Sequence, residues 1–330
     1  MKESTRPLVA VSFDLGQEAK ERIEATLNPI ADVIHLRDIG PEGRKTALLE
    51  AKVVFAWAPH MEFSPEEQGL LEHASLMQLL SAGADHLDFE RLPKSLMIAS
   101  NVGAYARPMA EHALAMVLAL AKRLMIHHKK LKEGLFDQLS ENKALFGATA
   151  AILGFGGIGK AVARLLRPFG VKILAINRSG KSDEPADFLG TLSSLDKVLE
   201  QSDLVVLALP LNRSTRSLIG KRELGLMKED AILVNVARGE IIEESALFEH
   251  LKAHPDFMAG IDAWWTEPFK QGRFELKHPF FELPNVLGTP HNSALVPGSL
   301  IEAVQKASEN ILRFLAGGPI EGVIRKEGYL

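Results

Sequence analysis

Arg238, Glu267 and His291 stand 29 and then 24 residues apart, and each lies just past a short apolar run: Val234-Asn235-Val236-Ala237-Arg238, Gly260-Ile261-Asp262-Ala263-Trp264-Trp265-Thr266-Glu267 and Gly288-Thr289-Pro290-His291. An imidazole exchanges a proton near neutral pH, a carboxylate beside it favours the charged form, and a guanidinium grips a carboxylate or carbonyl oxygen. A set of this kind could hold a small anion and hand it a proton. The chain has no cysteine, so thiolate zinc sites, iron–sulfur clusters, disulfides and cysteine nucleophiles are excluded. Eleven histidines are present, but no His-x-x-x-His or Glu-x-x-His helix pair accompanies the three residues, and adjacent His127 and His128 cannot chelate from one helical face. No metal is expected.

A second feature calls for a cofactor. Ala150 to Leu153 reads as a buried strand, Lys160 to Leu166 as a helix, and Gly154-Phe155-Gly156-Gly157-Ile158-Gly159 joins them as G-x-G-x-x-G. In that setting the first glycine permits a tight turn, the second lets backbone approach a pyrophosphate, and the third lets helix and strand pack closely. The next strand, Lys172 to Ile176, should end where the ribose of a dinucleotide is read. Asn177-Arg178-Ser179 stands there, without the Asp or Glu that would accept from ribose hydroxyls. A guanidinium with a neighbouring hydroxyl would instead bind a 2′-phosphate, so NADP(H) is expected to be preferred, with NAD(H) possible.

The elements that must position these residues are α/β throughout. Apolar runs at Leu8 to Phe13, Val53 to Trp57, Met77 to Leu80, Ala150 to Leu153, Lys172 to Ile176, Leu204 to Ala208 and Ile232 to Asn235 suit strands of parallel sheets buried on both faces. A helical pattern from about Pro108 to Glu133 connects the two sets of strands, and a last helix is predicted from about Ser299 to Leu315, stopping at Gly317-Gly318-Pro319. At 46% hydrophobic and 24% charged, 330 residues suit two ordinary folded domains. The net charge of −4 offers no positive field for nucleic acid or an anionic membrane. Ala113 to Ala121 is only nine residues against the ~20 that span a bilayer, and Met1 to Ser12 opens with mixed charges, so a cytoplasmic protein is expected.

The glycine loop followed by Arg, Glu and His in that order resembles the D-isomer-specific 2-hydroxyacid dehydrogenase family, which includes glyoxylate and hydroxypyruvate reductases. Ala82-Gly83-Ala84-Asp85-His86-Leu87-Asp88, Asn101 with Ala110-Glu111-His112, and Leu209-Pro210-Leu211 with Thr215 resemble further family segments. The resemblance implies two Rossmann-like domains with parallel sheets, the first flavodoxin-like and discontinuous. Residues 1–100 and 293–330 would form the substrate-binding domain and 101–292 the dinucleotide-binding one. It also implies that Arg238 holds a 2-oxo acid, that His291 is the acid/base and that Glu267 bonds the imidazole. Cofactor contacts would come from Gly154 to Gly159, Asn177 to Ser179, Leu209, Pro210, Thr215, Val236, Ala237, Arg238, Asp262 and His291, and substrate contacts from Trp57, Ala82, Gly83, Arg238 and His291. A tryptophan wall at Trp57 leaves room for small substrates such as glyoxylate or hydroxypyruvate. The implied protein is a homodimer acting on a small 2-oxo or 2-hydroxy acid. Two other activities stay open, formate or phosphite oxidation and dinucleotide sensing without turnover. The sequence departs from the family at the missing acidic ribose reader and at Asn292-Ser293-Ala294, where many members carry glycine.

Overall fold

All strand ladders run parallel, in two sheets that belong to two compact units. In the computed structural model, which describes residues 6–329, one unit holds the chain up to Tyr105 together with the residues from Pro297 onward, and the other is Ala106–Val296. The first five residues, on which the reading of the N-terminus partly rests, lie outside the described residues.

The first unit contains β1 (Leu8–Val11), β2 (Asp32–His35), β3 (Val53–Ala56), β4 (Leu76–Leu79) and β5 (Met97–Ala99) in the order β2-β1-β3-β4-β5. That is the flavodoxin-like winding. The Ser299–Leu315 helix closes it, packing on the Gln17–Leu27 helix and on β4. Two buried side-chain amides fix its register: Asn310 donates to Gln78 Oε1 at 2.7 Å, and Asn101 donates to the Ala303 carbonyl at 2.8 Å.

The second unit carries β6 (Thr149–Leu153), β7 (Lys172–Ile176), β8 (Phe188–Gly190), β9 (Leu204–Leu207), β10 (Ile232–Asn235), β11 (Met258–Ile261) and β12 (Val286–Gly288), ordered β12-β11-β10-β9-β6-β7-β8. The order reverses between β6 and β9, the place where an open α/β sheet leaves a crevice at its carboxyl edge. The central strands are buried from end to end except for Thr149 at the start of β6, as their apolar runs require. Of the five described strands outside those runs, β2, β5, β8 and β12 are sheet edges with partly exposed residues, where an uninterrupted apolar run has no reason to appear, and only the short β11 is interior and buried.

The long helix expected from Pro108 to Glu133 is two helices, Ala106–Ala121 and Leu124–Lys132. Arg123 adopts a left-handed conformation (φ 46°) and its guanidinium pairs with Asp256 at 2.7 Å, which turns the chain without a proline or glycine. Ala113, Met116, Val117 and Leu120 are buried, and a Cβ on Gly260 would lie 3.2 Å from Leu120 and 3.3 Å from Met116. That face of the helix packs on the Gly157–Leu166 helix, β10 and β11, while Leu114 and Leu118 stay partly exposed. The Leu124–Lys132 helix buries nothing.

A pH-dependent weakness lies on the far helix of the same unit. His250, on Glu244–Ala253, stacks on His254 at 4.2 Å between ring centres, and burial, with His254 beside it, pushes its pKa from 6.5 down to about 4. On unfolding, the ordinary value returns, so between pH 6.5 and about 4 the unfolded chain binds a proton that the folded chain refuses. Stability should therefore fall as pH drops through that window. His250→Gln is expected to flatten the decline in Tm between pH 7 and 4.5; an unchanged slope would mean that other groups set it.

Candidate active site

The carboxyl ends of the second sheet are level. Leu153 of β6 pairs with Leu207 of β9, Leu207 with Asn235 of β10, Asn235 with Ile261 of β11, and Ile261 with Gly288 of β12. The glycine loop, Arg238, Asp262, Glu267 and His291 therefore leave one rim of one sheet.

At β6 the chain turns at Gly154 (φ 102°), and the N–H groups of Gly154 and Phe155 both donate to the Ile176 carbonyl at 2.9 and 3.1 Å. A Cβ on Gly154 would collide with the backbone of Ala208, and one on Gly159 with the Gly154 carbonyl. Gly156, by contrast, faces open space and precedes the Gly157–Leu166 helix, whose first N–H groups have no intrahelical acceptor. A pyrophosphate fits that bare backbone and helix end. Gly157 and Ile158 are partly exposed, whereas the Phe155 side chain is 2% exposed and can offer a ligand only its backbone.

Beyond β7, the Asn177 carboxamide is committed to its own turn: Oδ1 accepts from Gly180 N at 2.7 Å and Ser179 N at 3.1 Å, and Nδ2 donates to the Lys181 carbonyl at 2.8 Å. Ser179 Oγ lies 3.3 Å from Asn177 Oδ1 and 3.2 Å from the Lys181 carbonyl. Arg178 is exposed and its guanidinium has no partner among the described residues. The segment that follows is pinned through Glu184, which bonds Arg167 Nη1 at 2.8 Å and Arg164 Nε at 2.7 Å. Arg167 and then Arg164 hold that carboxyl below the usual carboxylate range. After β9, Leu209 is half-buried and Pro210 exposed, and buried Thr215 closes the turn by donating to the Pro210 carbonyl at 2.7 Å.

The loop after β10 is built around Asn235, whose amide donates to the Arg238 carbonyl at 2.8 Å and accepts from Ala237 N at 3.0 Å. Val236 and Ala237 are buried and Arg238 is partly exposed. A Cβ on Gly239 would collide with the Trp264 backbone, so the β10 and β11 loops touch at that point. Glu267 is 7% exposed and accepts from Trp264 N at 2.6 Å. Its two oxygens lie 2.9 and 2.8 Å from His291 Nδ1. Burial alone would raise the Glu267 pKa, but the bond from His291, the His291 charge, Trp264 N–H and the nearby Arg238 together bring it below the ordinary range. An ionised Glu267 can only accept, so Nδ1 carries the hydrogen and Nε2 is left to act. His291 itself has φ 51°.

In the first unit, Trp57 follows β3 and is half-buried, and its backbone N–H and that of Ala58 donate to Glu62 at 3.1 and 2.7 Å. Ala82 and Gly83 follow β4, and their N–H groups have no partner among the described residues. Two free adjacent donors are what a carboxylate takes.

Residues 114–293 match the family described as D-isomer specific 2-hydroxyacid dehydrogenase, NAD binding domain. The chain belongs to this family. Among curated relatives, a glyoxylate reductase of Thermococcus gammatolerans is 30% identical over 256 residues, 75% of each chain. A hydroxypyruvate reductase of Thermotoga maritima is 34% identical over 215 residues, 64% of this chain and 68% of the relative. Among solved structures, a D-isomer specific 2-hydroxyacid dehydrogenase of Xanthobacter autotrophicus, in complex with NADPH and MES, superposes with a TM-score of 0.82 at 26% identity and covers 99% of this chain and 100% of its own. The glycine loop of this family member thus lies in the segment matched as NAD binding, and its open Gly156 backbone suits a nicotinamide dinucleotide. No group of three or more potential metal ligands occurs among the described residues, and no helix there is long and apolar enough to cross a membrane.

What sequence reasoning passed over is Thr289. It sits inside the histidine segment and has no motif of its own, yet its hydroxyl donates to Asp262 Oδ1 at 2.7 Å and lies 3.1 Å from His112 Nε2. A hydroxyl two residues before the histidine was the available signal.

Proposed function

We propose that this protein reduces a short 2-oxo acid to its D-2-hydroxy acid, with NADPH preferred over NADH. The observation that carries the reading is His291 held through Nδ1 by an ionised Glu267, on the same strand rim as Arg238 and the glycine loop. The relatives named as glyoxylate and hydroxypyruvate reductases support the substrate class. The dinucleotide, held by Gly154 to Gly159 and the β7 turn, supplies the hydride when bound. Arg238 binds the substrate carboxylate and carbonyl oxygen, where negative charge grows during reduction. His291 Nε2 delivers the proton to that oxygen, and Glu267 keeps the ring oriented by accepting from Nδ1.

The NADPH preference rests on Arg178. Its side chain is free at the end of β7 while Asn177 and Ser179 shape the turn that presents it, and no carboxylate stands there to repel a 2′-phosphate. A second copy of the chain is part of the same proposal. The segment after the buried helix exposes Leu131, Leu135, Phe136 (76%), Leu139 (91%) and Phe146 (87%), an apolar stretch suited to burial between two copies.

The test is an absorbance screen of NADPH and NADH oxidation against a panel of short 2-oxo acids, on a preparation whose mass is read by light scattering. NADPH should be oxidised faster with glyoxylate or hydroxypyruvate than with aromatic acids, at a mass of twice 36.1 kDa. Arg178→Ala should raise KM for NADPH by ~10–100-fold, the loss of a charged hydrogen bond worth ~1.5–3 kcal/mol, and leave NADH unaffected. Equal use of NADH by the unmodified protein would overturn the preference, and a mass of one chain would overturn the dimer.

A further inference from the structure

The Asp262 side chain is 0% exposed, and no lysine or arginine pairs with it among the described residues. Its oxygens accept instead from three donors that bracket His291: Thr289 Oγ1 at 2.7 Å on one side, Asn292 N at 3.2 Å and Ser293 N at 3.4 Å on the other. His291 between them has φ 51°, a backbone region that a residue with a side chain rarely adopts unless its surroundings impose it. The Asp262 carboxylate bonds the chain on both sides of this residue. One more bond reaches this clamp from a different element. His112, on the Ala106–Ala121 helix, places Nε2 3.1 Å from Thr289 Oγ1 and 3.7 Å from Asp262 Oδ1. A threonine hydroxyl has one hydrogen, and at Thr289 the carboxylate takes it, so at the shared oxygen His112 must be the donor.

We propose that His112 is a positioning residue for His291, acting through the polarised chain His112 Nε2–H to Thr289 Oγ–H to Asp262. The chain orients the Thr289 hydroxyl, the hydroxyl and the two N–H groups centre the carboxylate, and the carboxylate holds the backbone on both sides of the acid/base. His112 touches neither the reacting atoms nor Glu267. This assignment rests on the reading of His291 as the proton donor to a 2-oxo acid.

Three variants separate positioning from packing. His112→Phe keeps a ring and removes the donor, Thr289→Val keeps the shape and removes the hydroxyl, and His112→Gln restores an N–H donor. His112→Phe and Thr289→Val should each lower kcat for glyoxylate reduction by about ten- to a hundredfold, the scale of a displaced catalytic group, with KM for NADPH within about twofold of the parent. The double variant should be no slower than the slower single one, because both break the same chain. His112→Gln should recover most of kcat. In the protein without cofactor, the His291 ring resonances in proton–nitrogen NMR should shift in His112→Phe and return in His112→Gln. Near-parental kcat in both His112→Phe and Thr289→Val would overturn the proposal, as would losses that multiply in the double variant. So would a loss in His112→Phe that tracks a lower Tm and is not recovered by glutamine. If the parent protein reduces no 2-oxo acid, the functional reading fails, and the NMR arm still decides whether His112 holds His291.

Discussion

Replacing His291 with glutamine is expected to lower kcat by ~10²–10⁴-fold, the range for a lost general acid, while NADPH still binds. The variant keeps a hydrogen-bonding side chain of similar reach, so the left-handed backbone at 291 and its clamp on Asp262 have reason to survive. What disappears is a group that can carry a proton on Nε2 while Nδ1 stays tied to Glu267 at 2.8 Å. A carboxamide does not protonate near neutral pH, so the oxygen of the substrate would have to take its proton from water. Cofactor affinity should barely change, because the glycine loop and the β7 turn leave the sheet from other strands. The measurement is a kcat determination beside a fluorescence titration with NADPH. Turnover within about threefold of the parent would remove His291 from the chemistry.

Arg238→Ala should lower kcat/KM by ~10²–10³-fold, the cost of a preorganised donor at a developing oxyanion, and should raise KM for the 2-oxo acid as well as lower kcat. Both parameters move because the guanidinium is assigned to the carboxylate of the bound substrate and to the charge that builds on its carbonyl oxygen. Arg238→Lys should recover little, since an ammonium cannot place two parallel donors as the guanidinium fork does. The loop itself is held by Asn235 and by the close approach of Gly239 to Trp264, so the truncation need not unravel it. A variant with altered KM and unchanged kcat would confine Arg238 to binding. One with neither altered would take it out of the site.

The sequence made the centre of each sheet legible and left its borders dark. β3 and β9 are buried and apolar along their whole length, and β10 is so up to Asn235, so the runs show. β2 and β8 are edge strands with partly exposed positions, and no such run marks them. The glycine loop was readable because collisions leave no alternative to glycine at positions 154 and 159. The break at Arg123 was not, because an arginine in the left-handed region has no signature in composition. In the site, the order of Arg238, Glu267 and His291 carried the reading. The tasks of Asn177, Thr215 and Asp262 did not show in it. Their side chains are committed to loop hydrogen bonds that only the folded backbone brings within reach.

The bond between Gln78 and Asn310 joins residues 232 positions apart, and that between Asn101 and Ala303 spans 202. During synthesis the first hundred residues therefore emerge long before the helix that completes their sheet, and the intervening chain contains all the partners its own sheet needs. Assembly is thus inverted with respect to the direction of translation: the part made second can finish first, and the part made first must wait with the face of the Gln17–Leu27 helix uncovered until the Ser299–Leu315 helix has left the ribosome. A chain that stops early would leave that apolar face permanently open, so the quality of the C-terminal end decides whether the N-terminal end is safe from aggregation.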